Sequence, residues 1–480
     1  MARVLPILAL LLLATPGVVA ARQVTAEIVT GEQPETVRAL GADGLYVPGQ
    51  GLDVSRQEAL ARLGPLPSGA CGSLQRCPFE LFVSVPPLGS QPNTQRYDVT
   101  ILGGSYRGIL VSDRTRIPGL VTIADIRETV AALEEGTEPP IRSESSADPL
   151  AELERLDRRL EDARTAQLPA TVALTLILVA LAAATFVMRS GLVASTALLY
   201  PLAAISLALG AASLDRVGPT VTTAVVVAAA PLALAAARYV PIHYAVALFL
   251  GAYGIALAAS PETNSLMALG PHPWGGGRFY GVTNLIATLM LAPVLAAATV
   301  VRGAARVVLG FLALVVVGVS ATGADGGGLI VFATALVTLW FLLERSRLTP
   351  LAIVVAGAVA LAVVGLDAAS GGSSHVVDAV AGGPGELAES LERRARISVD
   401  IATSSPWQLA VLLAGLGILG WVTTLRPRLA AVDALLVALL VSLVVNDSPT
   451  KVAGYGAVVC VALRAWCVSN ERPVGIESAT

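Results

Sequence analysis

A succession of apolar stretches, each long enough to cross a lipid bilayer, dominates the sequence from Leu168 onward. About 20 apolar residues in a helix span the hydrocarbon core, and only helices or closed barrels satisfy their backbone groups there. The chain is 55% hydrophobic and 14% charged, whereas soluble domains carry about 25% charged residues. The sequence therefore predicts a polytopic α-helical membrane protein. Its eleven stretches are 168–188, 192–213, 219–237, 241–259, 283–301, 306–321, 327–343, 350–366, 406–424, 430–446 and 452–468.

The residues ahead of these stretches are predicted to be exported. Arg3, the apolar run Leu5–Ala14 and the small residues that follow have the pattern of a secretory signal over residues 1–21. An uncleaved anchor helix is the alternative. Residues 22–147 contain alternating runs such as Glu80–Val85, which predict strands in a small extracytoplasmic α/β domain.

A short charged segment joins this domain to the apolar part. In residues 148–167, leucines recur at helical spacing with charged residues between them. This pattern predicts an amphipathic linker helix, with a solvated linker as the alternative. The multi-span domain would then cover residues 168–470, and residues 471–480 would form a cytoplasmic tail.

The four cysteines divide by location. Cys71 and Cys77 bracket a short loop in the exported segment, where an oxidising compartment favours a disulfide over two free thiols. Cys460 and Cys467 lie in the last apolar stretch and are interpreted as packing residues. No CxxC spacing indicates a metal, no cofactor is predicted, and a net charge of -3 argues against nucleic-acid binding.

The distribution of arginine predicts the orientation, because cytoplasmic loops of membrane proteins are enriched in Lys and Arg. With the exported domain outside, the short outside loops carry only Arg216, Arg278 and Lys451. The inside loops carry nine arginines: Arg189, Arg238, Arg302, Arg306, Arg345, Arg347, Arg426, Arg428 and Arg464. We therefore predict a multi-pass protein of the cytoplasmic membrane with its N-terminal domain outside and its C-terminus inside.

Four polar or glycine-rich patches interrupt the apolar part, and this orientation places all of them outside: Pro261–Asn284, Thr322–Gly328, Asp367–Ser405 and Asn446–Lys451. In the first, Arg278 follows a glycine-rich run and precedes Asn284 at a helix start, an arrangement suited to a phosphate or carboxylate. The alternative is an interfacial anchor, with the loop aromatics in the aromatic belt and Arg278 at the headgroups.

The other three patches supply candidate catalytic and binding groups. Asp325 precedes three glycines and could coordinate a cation or orient Arg278, or simply cap a helix. His375 could act as a general base, although a lone surface histidine more often has no role. Asp447 could face the same outward-facing polar mouth as Arg278, or it could cap a helix. An amphipathic helix over Pro384–Ile401 contributes a cationic cluster of Arg393, Arg394 and Arg396.

Two resemblances follow from these motifs. Tyr106–Gly108, Ser112–Val121 and Ile123–Thr129 resemble the C-terminal part of an alkaline-phosphatase-like domain, with Glu128 in place of a proline. Joined to the later motifs 276–284 and 446–448, they resemble a group of uncharacterised bacterial polytopic proteins with such ectodomains. Phosphatase activity is not expected, because the exported domain has no histidine for a metal pair.

The second resemblance concerns the membrane part alone. The motif from Arg278 through Asn284 to Ala287, and the long loop with His375 and its arginines, are similar to the O-antigen ligase and polymerase class. That resemblance implies a glycan transferase acting on an undecaprenyl-pyrophosphate carrier. Arg278 and the Arg cluster would hold the pyrophosphate, and His375 would accept the proton of the acceptor hydroxyl.

The preferred hypothesis is a cell-envelope protein whose outward-facing polar mouth handles an anionic, lipid-linked or glycan-related ligand. Whether it is an enzyme stays open at this point. One alternative is a transporter. Ion-coupled transport predicts polar residues deep within the spans, which contain almost none, so a flippase-like path is the form that stays open. Another is a non-catalytic scaffold whose ectodomain recruits an envelope partner.

Overall fold

The computed structural model describes residues 24–470 except 32, 34, 50–52, 68–77, 277, 346–349, 370–384, 386–391, 393–395, 397 and 401. These described residues form two compact units. The first runs to Leu156 and includes Trp274–Gly276, and the second holds the rest from Asp157 onward. The predicted signal peptide, the Cys71–Cys77 pair, His375, Arg393, Arg394 and the predicted tail lie outside the described residues.

The first unit is built on a seven-stranded mixed sheet with the strand order β1-β4-β6-β2-β7-β9, in which β8 also pairs with β2. Its strands are β1 (Val24–Thr30), β2 (Ala42–Val47), β4 (Phe79–Val85), β6 (Tyr97–Gly103), β7 (Gly108–Ser112), β8 (Leu120–Thr122) and β9 (Ile141–Glu144). Strands β3 (Asp53–Ser55) and β5 (Ser90–Pro92) form a separate pair. Its helices are α1 (Glu35–Arg38), α2 (Arg56–Leu63) and α3 (Ile123–Glu135). The predicted small α/β domain is confirmed.

Local sequence explains these elements. In β4, the alternating positions Leu81 and Val83 are 1% and 0% exposed and join the core of the sheet, as period-two alternation predicts. Both longer helices begin with a capping box. Ser55 and Glu58 close the start of α2, and Thr122 and Asp125 close the start of α3. Such boxes satisfy backbone N–H groups that have no partner inside the helix.

The second unit is helical, and every one of the eleven apolar stretches coincides with a helix. These helices are α4 (Pro149–Met188), α5 (Gly191–Ala212), α6 (Pro219–Tyr239), α7 (Ile242–Ala259), α9 (Asn284–Val300), α10 (Ala304–Gly318), α11 (Gly326–Arg345), α12 (Pro350–Ala369), α13 (Pro406–Thr424), α14 (Ala430–Val445) and α15 (Pro449–Asn470). A short helix, α8 (Pro261–Ser265), and one 3-10 turn, Pro273–Gly275, lie in the loop after α7.

Within the described residues, seven of these helices are long and apolar enough to cross a membrane: α4, α5, α6, α7, α11, α13 and α15. Helices α9, α10 and α14 are apolar but shorter, and within α12 the fully described part, Val354–Asp367, is also shorter. The chain is therefore a membrane protein with multiple apolar helices. Eleven complete crossings stay a prediction, because α9, α10 and α14 reach across only with flanking residues or local thinning of the bilayer.

The predicted linker helix and the first apolar stretch form one uninterrupted helix, α4, of 40 residues. Pro169 lies inside it, at the predicted junction. A proline removes one backbone donor, yet membrane helices tolerate it because neighbouring groups satisfy the freed carbonyl. The sequence therefore located the helix but placed a boundary where the chain has none.

Small residues allow the membrane helices to pack closely. A Cβ on Gly415 of α13 would lie 2.6 Å from the carbonyl oxygen of Ala453 in α15. A Cβ on Gly456 of α15 would lie 2.7 Å from the side chain of Leu439 in α14. Helix contacts through small residues are typical of membrane proteins, where dispersion forces between close backbones stabilise the bundle.

Candidate functional site

The polar patches of the membrane unit meet at one end of the helices. The backbone N–H of Val282 donates to the carbonyl of Gly323 at 2.8 Å, which joins the first patch to the second. The amide of Asn284 donates to Asp447 Oδ1 at 2.8 Å, which joins the first to the fourth. A Cβ on Gly327 would lie 2.1 Å from Asn446 Oδ1, so the second and fourth are also in contact.

Described residues of the third patch touch the same end. The carboxylate of Asp367, at the end of α12, accepts the backbone N–H of Ser320 at 3.1 Å and its hydroxyl. The hydroxyl of Ser398 donates to the carbonyl of Asn446 at 3.0 Å. The four patches, which extend from residue 261 to residue 451, thus share one end of the helical unit.

A buried asparagine holds the loop that carries Arg278. Asn264 is 0% exposed, accepts a hydrogen bond from the hydroxyl of Tyr253 at 2.8 Å, and donates to the carbonyl of Gly281 at 2.8 Å. Gly281 has a φ of +89°, and a Cβ there would lie 2.1 Å from the carbonyl of Gly323. Only glycine fits this position, because a side chain would collide with the neighbouring turn.

Arg278 and Asp325 form a loose ion pair at this end. Arg278 Nη2 lies 3.6 Å from Asp325 Oδ1 and 3.4 Å from the carbonyl of Ala324. The side chain of Arg278 is 34% exposed, whereas that of Asp325 is 6% exposed. Asp325 Oδ2 is buried and makes no hydrogen bond to any residue that the structure describes.

The position of Asp325 bears on whether it is a helix cap. Helix α11 begins at Gly326, and the carbonyl of Asp325 accepts its first helical hydrogen bond, from Leu329, at 2.8 Å. Among the described residues, however, its carboxylate accepts no backbone N–H. The side chain is therefore placed at the helix start, where the dipole favours negative charge, and its nearest cationic partner is Arg278.

The glycines after Asp325 have a packing explanation. Beyond the contact of Gly327 with Asn446, a Cβ on Gly328 would lie 2.6 Å from Asp325 Oδ2 and 2.8 Å from Val317 Cγ1. The start of α11 is thus crowded by its own carboxylate, by α10 and by the end of α14. Close packing therefore accounts for Gly327 and Gly328 without a ligand.

Asn284 and Asp447 link two helix starts. Thr283 caps α9, its hydroxyl accepting the N–H of Ile286 at 3.3 Å, and Asn284 is the first residue of that helix. Asn284 Nδ2 also lies 3.4 Å from Ser448 Oγ, and Ser448 in turn donates to Asp447 Oδ1 at 3.2 Å. Asp447 is exposed and precedes α15, so the fourth patch is a turn held against the start of α9.

A histidine outside the predicted site lies beside this turn. His272 Nε2 lies 2.9 Å from the side-chain amide of Gln167 on α4. Burial, together with the nearby charge of Lys451, lowers the pKa of His272 to about 4, so its imidazole is neutral at physiological pH. Sequence reasoning missed His272 and Gln167, because their pairing across 105 residues leaves no local pattern.

Arg396 is the one member of the predicted arginine cluster that the structure describes. Its Nη2 lies 2.8 Å from Glu392 Oε1, and both side chains are more than two thirds exposed. This is an i,i+4 surface pair of the kind that contributes little to stability. A ligand-binding role for Arg396 stays a prediction.

The residues that carry the phosphatase resemblance stabilise the first unit. Asp125 is 0% exposed, accepts a hydrogen bond from Ser112 Oγ at 2.7 Å, and lies 3.1 Å from Arg114 Nη1. Glu128 lies 2.7 Å from Arg114 Nη2. Among the described residues, no group of three or more His, Cys, Asp or Glu is placed to hold a metal ion.

No protein-family model, curated protein or solved structure matches the chain significantly. The fold and the site therefore define the protein only as a membrane protein with a small α/β unit and a polar end where four loops meet. Both resemblances stay predictions, and the function must be argued from that polar end.

Proposed function

We propose that this is an integral membrane protein of the cell envelope whose polar end faces outward and binds an anionic, lipid-linked phosphate or glycan-related ligand through Arg278. The single observation that supports it most is the placement of Arg278 where the four loops meet. A guanidinium carries five N–H donors in a planar fork. Among the described residues it makes one hydrogen bond, at 3.4 Å, and one ion pair, at 3.6 Å. Most of its donors are therefore open to a phosphate, for which bidentate arginine contacts are well suited.

The arrangement of the other arginines supports an outward orientation. At the ends of the helices away from Arg278, Arg306 lies 3.2 Å from Glu344, and Arg464 donates to the carbonyls of Arg426 and Pro427. These loops are arginine-rich, whereas the end with Arg278 has few basic residues in its short loops. The positive-inside rule then assigns Arg278 to the outer face.

A lipid-linked ligand suits the depth of this site. The polar end lies where α9, α11 and α15 begin, so a bound phosphate would stand at the level of lipid headgroups. A ligand with a lipid tail would reach this level from within the bilayer.

The transporter alternative has less support. Ion-coupled transport would require charged groups near the middle of the membrane, whereas a flippase-like path does not depend on them. In the described part of the helical unit, the buried charged side chains are Asp325 and Asp367, and both lie at helix ends. Buried hydroxyls such as Thr196 donate to carbonyls of their own helix, in this case to Leu192 at 2.8 Å.

A binding measurement on the full chain in lipid nanodiscs tests the proposal. The probe is a short-chain prenyl diphosphoryl sugar, and the variant is Arg278→Ala. Charge-assisted hydrogen bonds contribute about 1.5–3 kcal/mol, so its affinity should fall by about 10- to 100-fold. Arg216→Ala is the matched control, because Arg216 is an exposed arginine of another loop on the same predicted face. Equal loss in both variants, or no binding by the wild-type chain, would contradict the proposal.

A genetic experiment tests whether the protein catalyses glycan transfer at this polar end. Arg278→Ala and His375→Ala would be introduced in the native host and scored for surface glycan. Loss in both supports a transferase in which Arg278 holds the phosphate and His375 accepts the acceptor's proton. If both variant strains carry the same amount of surface glycan as the wild type, the transferase hypothesis is wrong. Function that survives both changes but not deletion of residues 22–147 would favour the scaffold alternative.

A further inference from the structure

Asp325 is a buried carboxylate whose only cationic partner among the described residues is the same guanidinium that would bind the ligand. It is 5% exposed, its Oδ2 has no hydrogen bond among them, and its Oδ1 lies 3.6 Å from Arg278 Nη2. A buried charge is tolerated only while it is paired. Any ligand that withdraws Arg278 therefore leaves Asp325 as an uncompensated buried charge.

We infer that the bound anion and Asp325 compete for the single positive charge of Arg278, and that binding of the anion is accompanied by uptake of one proton from solvent on Asp325. This inference rests on the proposed function, since it needs Arg278 as the binding group. Protonation relieves the unpaired charge, because a neutral carboxyl is far less costly to bury than a carboxylate. The uncommitted Oδ2 is the atom that would take the proton.

Among the titratable groups near Arg278, Asp325 is the one that would take up the proton when an anion binds. On α12, Asp367 is held by Ser320, and at the end of α14, Asp447 is held by Asn284. Tyr253 on α7 faces Arg278 and is engaged by Asn264. Lys451 lies close to His272 and to Asp447. Of these groups, only Asp325 loses its counter-ion when Arg278 turns to a ligand.

The pH dependence of binding follows from linkage. A site that takes up one proton with its ligand gains affinity as the pH falls, by at most about tenfold per pH unit. Asp325→Asn imitates the protonated carboxyl, so its affinity should be independent of pH. It should match the wild-type affinity in acid and exceed it in mild alkali, where the wild-type carboxylate competes for Arg278.

The experiment uses the full chain in nanodiscs and the prenyl diphosphoryl sugar, whose phosphates are both esterified and do not titrate between about pH 5.5 and pH 8. Titration calorimetry of the wild-type chain in two buffers with different ionisation enthalpies counts the protons taken up, and this readout needs no variant. Asp325→Asn is then compared with Glu262→Gln, a half-buried carboxylate on the same loop as Arg278.

We expect proton uptake in the wild-type chain and in Glu262→Gln, and none in Asp325→Asn. Binding that Arg278→Ala abolishes but that involves no proton uptake would overturn the coupling and leave the proposed function standing. Proton uptake that persists in Asp325→Asn would also overturn it. No binding by the wild-type chain would overturn both.

Discussion

Replacing Asn264 with alanine tests how the loop that carries Arg278 is held in place. The side chain is 0% exposed and makes two hydrogen bonds of 2.8 Å, one from Tyr253 and one to the carbonyl of Gly281. Alanine leaves the Tyr253 hydroxyl and the Gly281 carbonyl unsatisfied, and each orphaned group costs about 1–3 kcal/mol. The native structure should therefore be destabilised by about 2–6 kcal/mol, mostly through local opening of the loop.

Two further variants separate the contributions. Tyr253→Phe removes one bond and should cost about half as much, because it leaves the bond to Gly281 intact. Asn264→Asp keeps the acceptor for Tyr253 but cannot donate to Gly281, so it should resemble the alanine variant at the loop. Hydrogen exchange of residues 278–283 in the full chain, corrected for intrinsic rates, measures the effect.

We expect the loop amides of Asn264→Ala and Asn264→Asp to exchange much faster than those of Tyr253→Phe. Equal protection in all three variants and in the wild-type chain would refute the claim that Asn264 positions the loop. Loss of the probe's affinity in Asn264→Ala, with Arg278 unchanged, would connect that positioning to binding.

Three other perturbations have defined outcomes. Gly327→Ala places a Cβ 2.1 Å from an amide oxygen and should lower the thermal midpoint of the full chain by the equivalent of about 1–3 kcal/mol, whereas Gly417→Ala, which meets nothing within 4 Å, should not. Burial raises the pKa of Asp43 from 3.8 to about 6, so the folded state binds this proton more tightly than the unfolded state does. The free energy of unfolding of the first unit should therefore fall by up to about 3 kcal/mol as the pH rises from about 4 through 6. Asp43→Asn should abolish that loss, read as the protection of β2 amides after correction for intrinsic rates. Thr122→Ala removes half of a capping box and should cost about 1 kcal/mol, seen as faster exchange in the first turn of α3.

The helices could be predicted because their signal is local. Apolar runs of spanning length and the arginines that flank them can be recognised within short segments of sequence, and each run forms a helix in the structure. The α/β unit followed from alternation in runs such as 80–85. The junction at Pro169 could not be predicted, because a proline ends a helix in water but is tolerated where neighbouring helices satisfy the backbone.

The site was predictable only in part, because it is built from distant pairs. Charge bias indicated that the polar patches share one side, and the contacts of Asn284 with Asp447 and of Arg278 with Asp325 join them. The pairing of His272 with Gln167 had no such signal. The sequence assigned no role to the individual glycines after Asp325, whereas the close approach of Asn446, which only the fold reveals, explains Gly327.

Cysteine labelling tests the proposed outward orientation of the polar end most directly. Glu262→Cys lies in the loop that carries Arg278. Arg426→Cys lies at the other end of the helices, where the side chain of Arg464 donates a hydrogen bond to the carbonyl of residue 426. Cys460 and Cys467 are buried. Cys71 and Cys77 are replaced by serine in every chain used, and the chain with these two replacements alone gives the background labelling. A membrane-impermeant maleimide applied to intact cells should label position 262, and position 426 only after permeabilisation. Labelling of position 426 in intact cells, with position 262 protected, would place Arg278 in the cytosol and contradict the proposed mouth.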